Sequence, residues 1–126
     1  MKKFSLTKTT KNWYGTVLFQ IKAKKSFGGV AKGELGGFIE KEENLSQDGN
    51  AWVFDDARVY GNARVYDDAW VYGNAQVFGD ARVHGNAQVF DDARVSGNAL
   101  VYDDALVSGN ARVFGDAQVF GDARVY

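Results

Sequence analysis

From Gly49 to Tyr126 the apolar positions recur every six residues, and the chain divides into thirteen hexads with no insertion. Each reads [Gly/Asp]-[Asn/Asp]-Ala-x-Val-y, where y is Phe or Tyr in ten hexads and His84, Ser96 or Ser108 in the others. Ala and Val stand two apart, so on an extended backbone both point to one side while x and y point to the other. The leading pair, Gly-Asn, Gly-Asp or Asp-Asp, favours turns and tolerates left-handed backbone angles. Every hexad therefore predicts a short strand with an apolar inner face, followed by a corner. So short and regular a period points to a solenoid, in which each turn buries its apolar face only against its neighbours.

The second corner residue sets how many hexads close one turn. It alternates Asn50, Asp56, Asn62, Asp68 and so on through Asp116. Two or four hexads per turn would stack aspartate on aspartate at one strand spacing, ~4.8 Å, where like charges repel. Three hexads place an Asn beside an Asp in every column until Asp122, where the alternation ends. The prediction is an all-β fold, a triangular parallel β-solenoid with 18 residues per coil and roughly four coils along its axis. Ala and Val fill its bore.

Residues 1–48 lack the hexad rhythm and are assigned to an N-terminal β-hairpin and irregular capping coil, ahead of the repeat at 49–126. Residues 3–9 and 13–22 carry strand-like patterns (Phe4 and Leu6; Trp13, Tyr14, Val17, Leu18, Phe19 and Ile21), which places a turn at Thr9–Asn12. Lys22, Lys24 and Lys25 are taken as a solvated basic turn. Gly28-Gly29, Gly33 and Gly36-Gly37 are taken as backbone turns, since no helix follows to complete a phosphate cradle. The segment is expected to cap the rod and cover an open strand edge.

The run Val59-Tyr60-Gly61-Asn62-Ala63-Arg64, repeated along the chain, resembles the hexapeptide repeat of left-handed parallel β-helices. There an aliphatic residue is followed four positions later by a small one. The left hand is implied by that resemblance; the general rule for parallel crossovers favours the right. The acyltransferase branch of that family usually has a small or acidic residue after the aliphatic one, where this chain has Tyr or Phe. The chain looks more like the bacterial and prophage repeat proteins described as transferase-like or polymer-forming. Residues 18–53, LFQIKAKKSFGGVAKGELGGFIEKEENLSQDGNAWV, resemble the opening of that group. The prophage resemblance implies a phage accessory role, including inhibition of a host defence enzyme such as a CRISPR nuclease. The acyltransferase resemblance implies a histidine base, for which His84 is the candidate. A glycan-binding phage structural protein is the third class of function.

Charge and composition narrow the field. The formal net charge of -1 argues against a bulk DNA mimic or a broad nucleic-acid binder. Without cysteine there are no disulfides and no thiolate metal sites. One histidine cannot supply the three zinc ligands of the carbonic-anhydrase version of the fold. Alternating Asn and Asp also deny the successive acidic turns that calcium would need. No metal and no cofactor are expected. Residues after Met1 show neither a signal peptide nor a membrane-spanning run, so a cytoplasmic protein is expected, in the host cell if phage-encoded.

Three hexads per coil sort the x residues into columns. One holds Trp52, Trp70, Gln88, Leu106 and Arg124; the second Arg58, Gln76, Arg94 and Arg112; the third Arg64, Arg82, Leu100 and Gln118. Arg58, Arg94, Arg112, Arg64 and Arg82 are candidate contacts to an acidic protein partner. Trp52 and Trp70 form an apolar patch for the hairpin or for another chain. The y residues are expected to stack as ladders, among them Tyr66, His84, Tyr102 and Phe120. The last coil, residues 109–126, carries Val113, Phe114, Val119, Phe120, Val125 and Tyr126 beside unpaired strand edges, so a homodimer through this coil is expected. The favoured function is a non-catalytic scaffold or binding protein that self-associates and engages a macromolecular partner.

Overall fold

A computed structural model describes residues 2–126. The hexads form thirteen two-residue strands, Trp52–Val53 (β4), Arg58–Val59 (β5), Arg64–Val65 (β6) and so on at every sixth residue to Arg124–Val125 (β16). Trp52 pairs in parallel with Trp70, Arg58 with Gln76 and Arg64 with Arg82. Neighbouring rungs thus lie three hexads apart, and the strands sort into three sheets, one on each face. The fold is an all-β parallel β-solenoid of about five turns. Among the described residues there is no α-helix, only a 3-10 turn at Glu42–Asn44.

The corners repeat one hydrogen-bonding scheme. The Ala57 N–H donates to the Phe54 carbonyl at 3.1 Å, closing a four-residue turn, and the Asn62 N–H donates onward to the Gly79 carbonyl at 2.8 Å. The first corner residue adopts a left-handed angle, φ 57° at Asp55 and 68° at Gly73. That angle is free for glycine and costs a residue with a side chain about 1–2 kcal/mol, less for Asp or Asn. The aspartates here offset the cost. Asp55 accepts the Gly73 N–H, Asp67 that of Gly85, Asp91 that of Gly109 and Asp103 that of Gly121, at 3.0–3.2 Å. Each Asp corner is thus followed, one coil on, by a Gly corner whose amide it satisfies.

The second corner residue forms its own ladder. The side-chain amides of Asn62, Asn74, Asn86 and Asn98 donate to the carboxylates of Asp80, Asp92, Asp104 and Asp116 at 3.2–3.4 Å. Inside, Ala51 through Ala105 and Val53 through Val107 are inaccessible to solvent. The wall opens only in the last coil, where Ala117 and Ala123 are exposed.

The N-terminal region extends one face. Strands β1 (Phe4–Trp13), β2 (Thr16–Ala23) and β3 (Leu35–Ile39) lie in the order β1-β2-β3-β5. The first three are antiparallel, and β3 then pairs in parallel with β5, Ile39 beside Val59. Parallel pairing therefore begins upstream of residue 49, and Leu45 bridges Val65 in the same manner. Gly37 occupies the inward slot that Ala fills elsewhere. A Cβ there would lie 2.7 Å from the Ala57 carbonyl and from Val53 Cγ1, so space rather than backbone angle demands glycine.

The hairpin turns at Tyr14-Gly15, not at Thr9–Asn12. Both residues have positive φ, 50° and 85°, and Asn12 Oδ1 accepts the Gly15 N–H at 3.1 Å. Thr9 and Thr10 remain in β1, with a register shift between Leu6 and Thr10. The polar run is the solvated part of an edge strand, where exposed Lys and Thr discourage further pairing.

Lys3 plugs the N-terminal mouth of the bore. It is fully buried, and its ammonium donates to the Ala51 carbonyl at 2.8 Å and more weakly to those of Asp48 and Gly49. Burial lowers its pKa to about 8, with Lys25 pushing the same way and Asp48 and Asp68 opposing.

Candidate functional site

Arg58, Gln76, Arg94 and Arg112 share one face because each is the outward residue of neighbouring strands in one sheet. Arg94 and Arg112 are directly paired and both exposed. Arg58 differs. It is half-buried, with its guanidinium 3.8 Å from the centroid of the Trp13 ring at the hairpin tip. Gln76 is buried and accepts the Tyr60 hydroxyl at 3.1 Å; burial raises the Tyr60 pKa. With Asn74, Asp92 and Asn110 these residues line a groove of about 320 Å³.

The electrostatics of this face are unbalanced. The ion pairs among the described residues are Lys2–Glu42 and, if His84 is protonated, His84–Asp67; neither includes an arginine. Arg94 and Arg112 are therefore held side by side, one strand spacing apart, with no carboxylate in contact. Like charges so placed destabilise a sheet by up to about 1 kcal/mol. Guanidinium forks can instead take carboxylates in bidentate fashion. Arg64 and Arg82 are likewise paired and exposed on the third face, with Leu100 next in their column.

The tryptophans do not form a joint surface. Trp52 is fully buried, clamped edge-on by Phe27 at 5.2 Å and Phe4 at 6.2 Å, because the capping segment folds over the first coil. It has no surface left for a partner. Trp70, one coil on, is half-exposed and packs edge-on against Phe54 at 5.2 Å.

His84 is a rung. Its ring stacks between Tyr66 at 4.6 Å and Tyr102 at 5.2 Å, within 5° of parallel, and Nδ1 lies 3.7 Å from Asp67 Oδ2. The ladder continues from Tyr102 to Phe120, and a second stack joins Tyr72 to Phe90.

In the last coil Phe114, Phe120 and Tyr126 are 66%, 52% and 89% exposed. Val113 and Val119 are not surface residues. They point into the bore as in every other hexad and are buried, and Val125 is half-buried. The hexad pattern missed the Trp13–Arg58 stack, which joins two segments 45 residues apart. Arg58's place at the head of its column, nearest the hairpin, was the available signal.

Stacked hexads, an Ala/Val bore and outward columns of arginines and rings define a β-solenoid repeat protein. Residues 57–73, 75–91, 87–103, 93–109 and 105–119 match the family model described as the YdcK Beta solenoid repeat. No curated protein matches the chain. Among the described residues, no helix is long and apolar enough to cross a membrane.

Proposed function

We propose that this β-solenoid is a non-catalytic scaffold that binds an acidic protein partner on the Arg58–Arg94–Arg112 face. The observation that carries the proposal is the pairing of Arg94 with Arg112, both exposed and without a carboxylate in contact. A like-charge pair is a cost to the fold that an anionic partner would remove. Arg58, braced by Trp13, forms the rigid upper end of the same groove.

We also propose that the rod is a left-handed coil of the hexapeptide kind. Partners separated by 18 residues support the coil length, and the repeat's resemblance supports the hand. The likeness of residues 18–53 to prophage proteins supports a cytoplasmic partner, with host defence enzymes such as CRISPR nucleases first in line. Self-association through the last coil belongs to the same proposal. Phe114, Phe120 and Tyr126 are large exposed rings gathered on residues 109–126, and a second copy would remove such an apolar patch from water.

Two measurements test this reading. Light scattering at tens of micromolar should give a dimer, and the double variant Phe114→Ser, Phe120→Ser a monomer; a monomeric wild type overturns self-association. Affinity capture from host lysate should recover an acidic protein that is lost with Arg58, Arg94 and Arg112 all changed to Glu, and lost at high salt. Recovery unaffected by the charge reversal overturns the arginine face.

A further inference from the structure

Arg64 and Tyr66 both point outward on the third face. In the preceding coil their places are taken by Asn44 and Ser46, because Leu45 is the residue that bridges Val65. Neither fills the space outside. Asn44 is buried and turned inward: its amide donates to the carbonyls of Ala63 at 2.9 Å and Gly61 at 3.2 Å, and its Oδ1 accepts the N–H groups of Lys41 and Glu40. Ser46 ends at its hydroxyl, which accepts the Asp48 N–H at 3.0 Å. Two outward side chains are thus missing where the coil should supply them. A cavity of about 530 Å³ remains, with Glu43, Ser46, Gln47, Arg64, Tyr66 and Arg82 among its walls. That volume lies in the roughly 300–1,000 Å³ range of small-molecule sites.

The chemistry of the walls is specific. Tyr66 is the first rung of its ladder, stacked on His84 at 4.6 Å and 3°, and on its other side the register places Ser46 rather than a ring. Arg64 and Arg82, paired across adjacent coils, border the same space and belong to no ion pair among the described residues. Of the two carboxylates in the wall, Glu43 forms no ion pair with these arginines, and Glu42 is held by Lys2 at 2.8 Å and by the Gln47 amide at 3.0 Å, the Lys2 bond lowering its pKa.

We infer that this cavity binds a small planar aromatic molecule bearing an anionic group, its ring stacked on Tyr66 as one more rung and its anion held by Arg64 and Arg82. Stacking is tolerant of ring identity, while paired guanidinium forks suit a phosphate or carboxylate. The site lies on a different sheet from the Arg94–Arg112 face, so neither proposal depends on the other.

Calorimetric titration tests the inference with two probes, adenosine 5′-monophosphate for phosphate and 4-hydroxybenzoate for carboxylate. Adenosine and inorganic phosphate serve as the ring-only and anion-only controls. At least one probe should bind tenfold or more tightly than the controls, and Arg82→Gln should weaken it at least tenfold. Ser46→Phe, which puts a ring into the vacant rung, should abolish binding while the melting temperature holds. Should Ser46→Phe fail to fold, Arg82→Gln carries the decision. Binding of neither probe, binding no tighter than that of inorganic phosphate, or full binding by Arg82→Gln overturns the site.

Discussion

Asn86 donates its side-chain amide to the Asp104 carboxylate, 3.3 Å away and one coil further along. Asp68 occupies the same column one coil earlier. Replacing Asn86 by Asp would put four carboxylates in succession, with Asp68 before it and Asp104 and Asp122 after it, and remove the donor that separates Asp68 from Asp104. The expected cost is about 1–2 kcal/mol at neutral pH, from like-charge contacts plus a lost charged hydrogen bond. It should shrink in high salt, which screens exposed like charges. Urea denaturation at low and high ionic strength measures it; an equal cost at both would show that charge does not set the corner alternation.

The all-glycine column offers a sharper geometric test. Gly97 and Gly115 share nearly the same left-handed angle, φ 65° and 62°, so alanine pays the same conformational penalty at either, about 1–2 kcal/mol. Only Gly97 has a coil packed beyond it. A Cβ there would lie 2.8 Å from the Gly115 nitrogen, whereas one on Gly115 would meet nothing within 4 Å. Gly97→Ala should therefore lower the melting temperature clearly more than Gly115→Ala. Equal effects would mean that the coils are packed more loosely than the corner geometry requires.

These corners were legible before any coordinates because the repeat states its own geometry. Ala and Val two apart name the inward face, and the Asn/Asp alternation through Asp116 favours a stacking in which unlike residues meet. What escaped the pattern lies where residues distant in sequence meet. Thr9 and Thr10 resemble a turn in composition yet sit in an exposed edge strand, since an edge and a loop both face water. Trp52 has the outward register of its hexad and is nonetheless buried, because Phe4 and Phe27 come from the cap to cover it. Asn44 and Ser46 fall outside the hexad rhythm, so the vacancy they leave above Tyr66 appears only once Leu45 is seen beside Val65.

Lys3 gives the fold an alkaline signature. Its pKa is about 8 in the folded protein against an ordinary 10.5, so the folded state releases the proton first. Between those values the unfolded chain binds more protons, and stability must rise with pH. Lys3→Met has no such group. Melting curves from about pH 7 to about pH 10 should show the wild type gaining on Lys3→Met across this window. A constant difference would mean that the ammonium at the bore mouth is as well solvated as one in water.

The paired arginines provide the last test, because here stability and function should pull in opposite directions. Arg94 lies between buried Gln76 and exposed Arg112, and its charge meets only a like charge along the column. Arg94→Glu converts that repulsion into an attraction between cross-strand neighbours. If the column served the fold, the reversal would destabilise it. If it is kept for a partner, the variant should be as stable as the wild type or more stable by up to about 1 kcal/mol, with the gain fading in high salt. Urea denaturation at low and high ionic strength distinguishes the two. A loss of stability would assign Arg94 to the scaffold and withdraw the main support for an arginine-lined docking face.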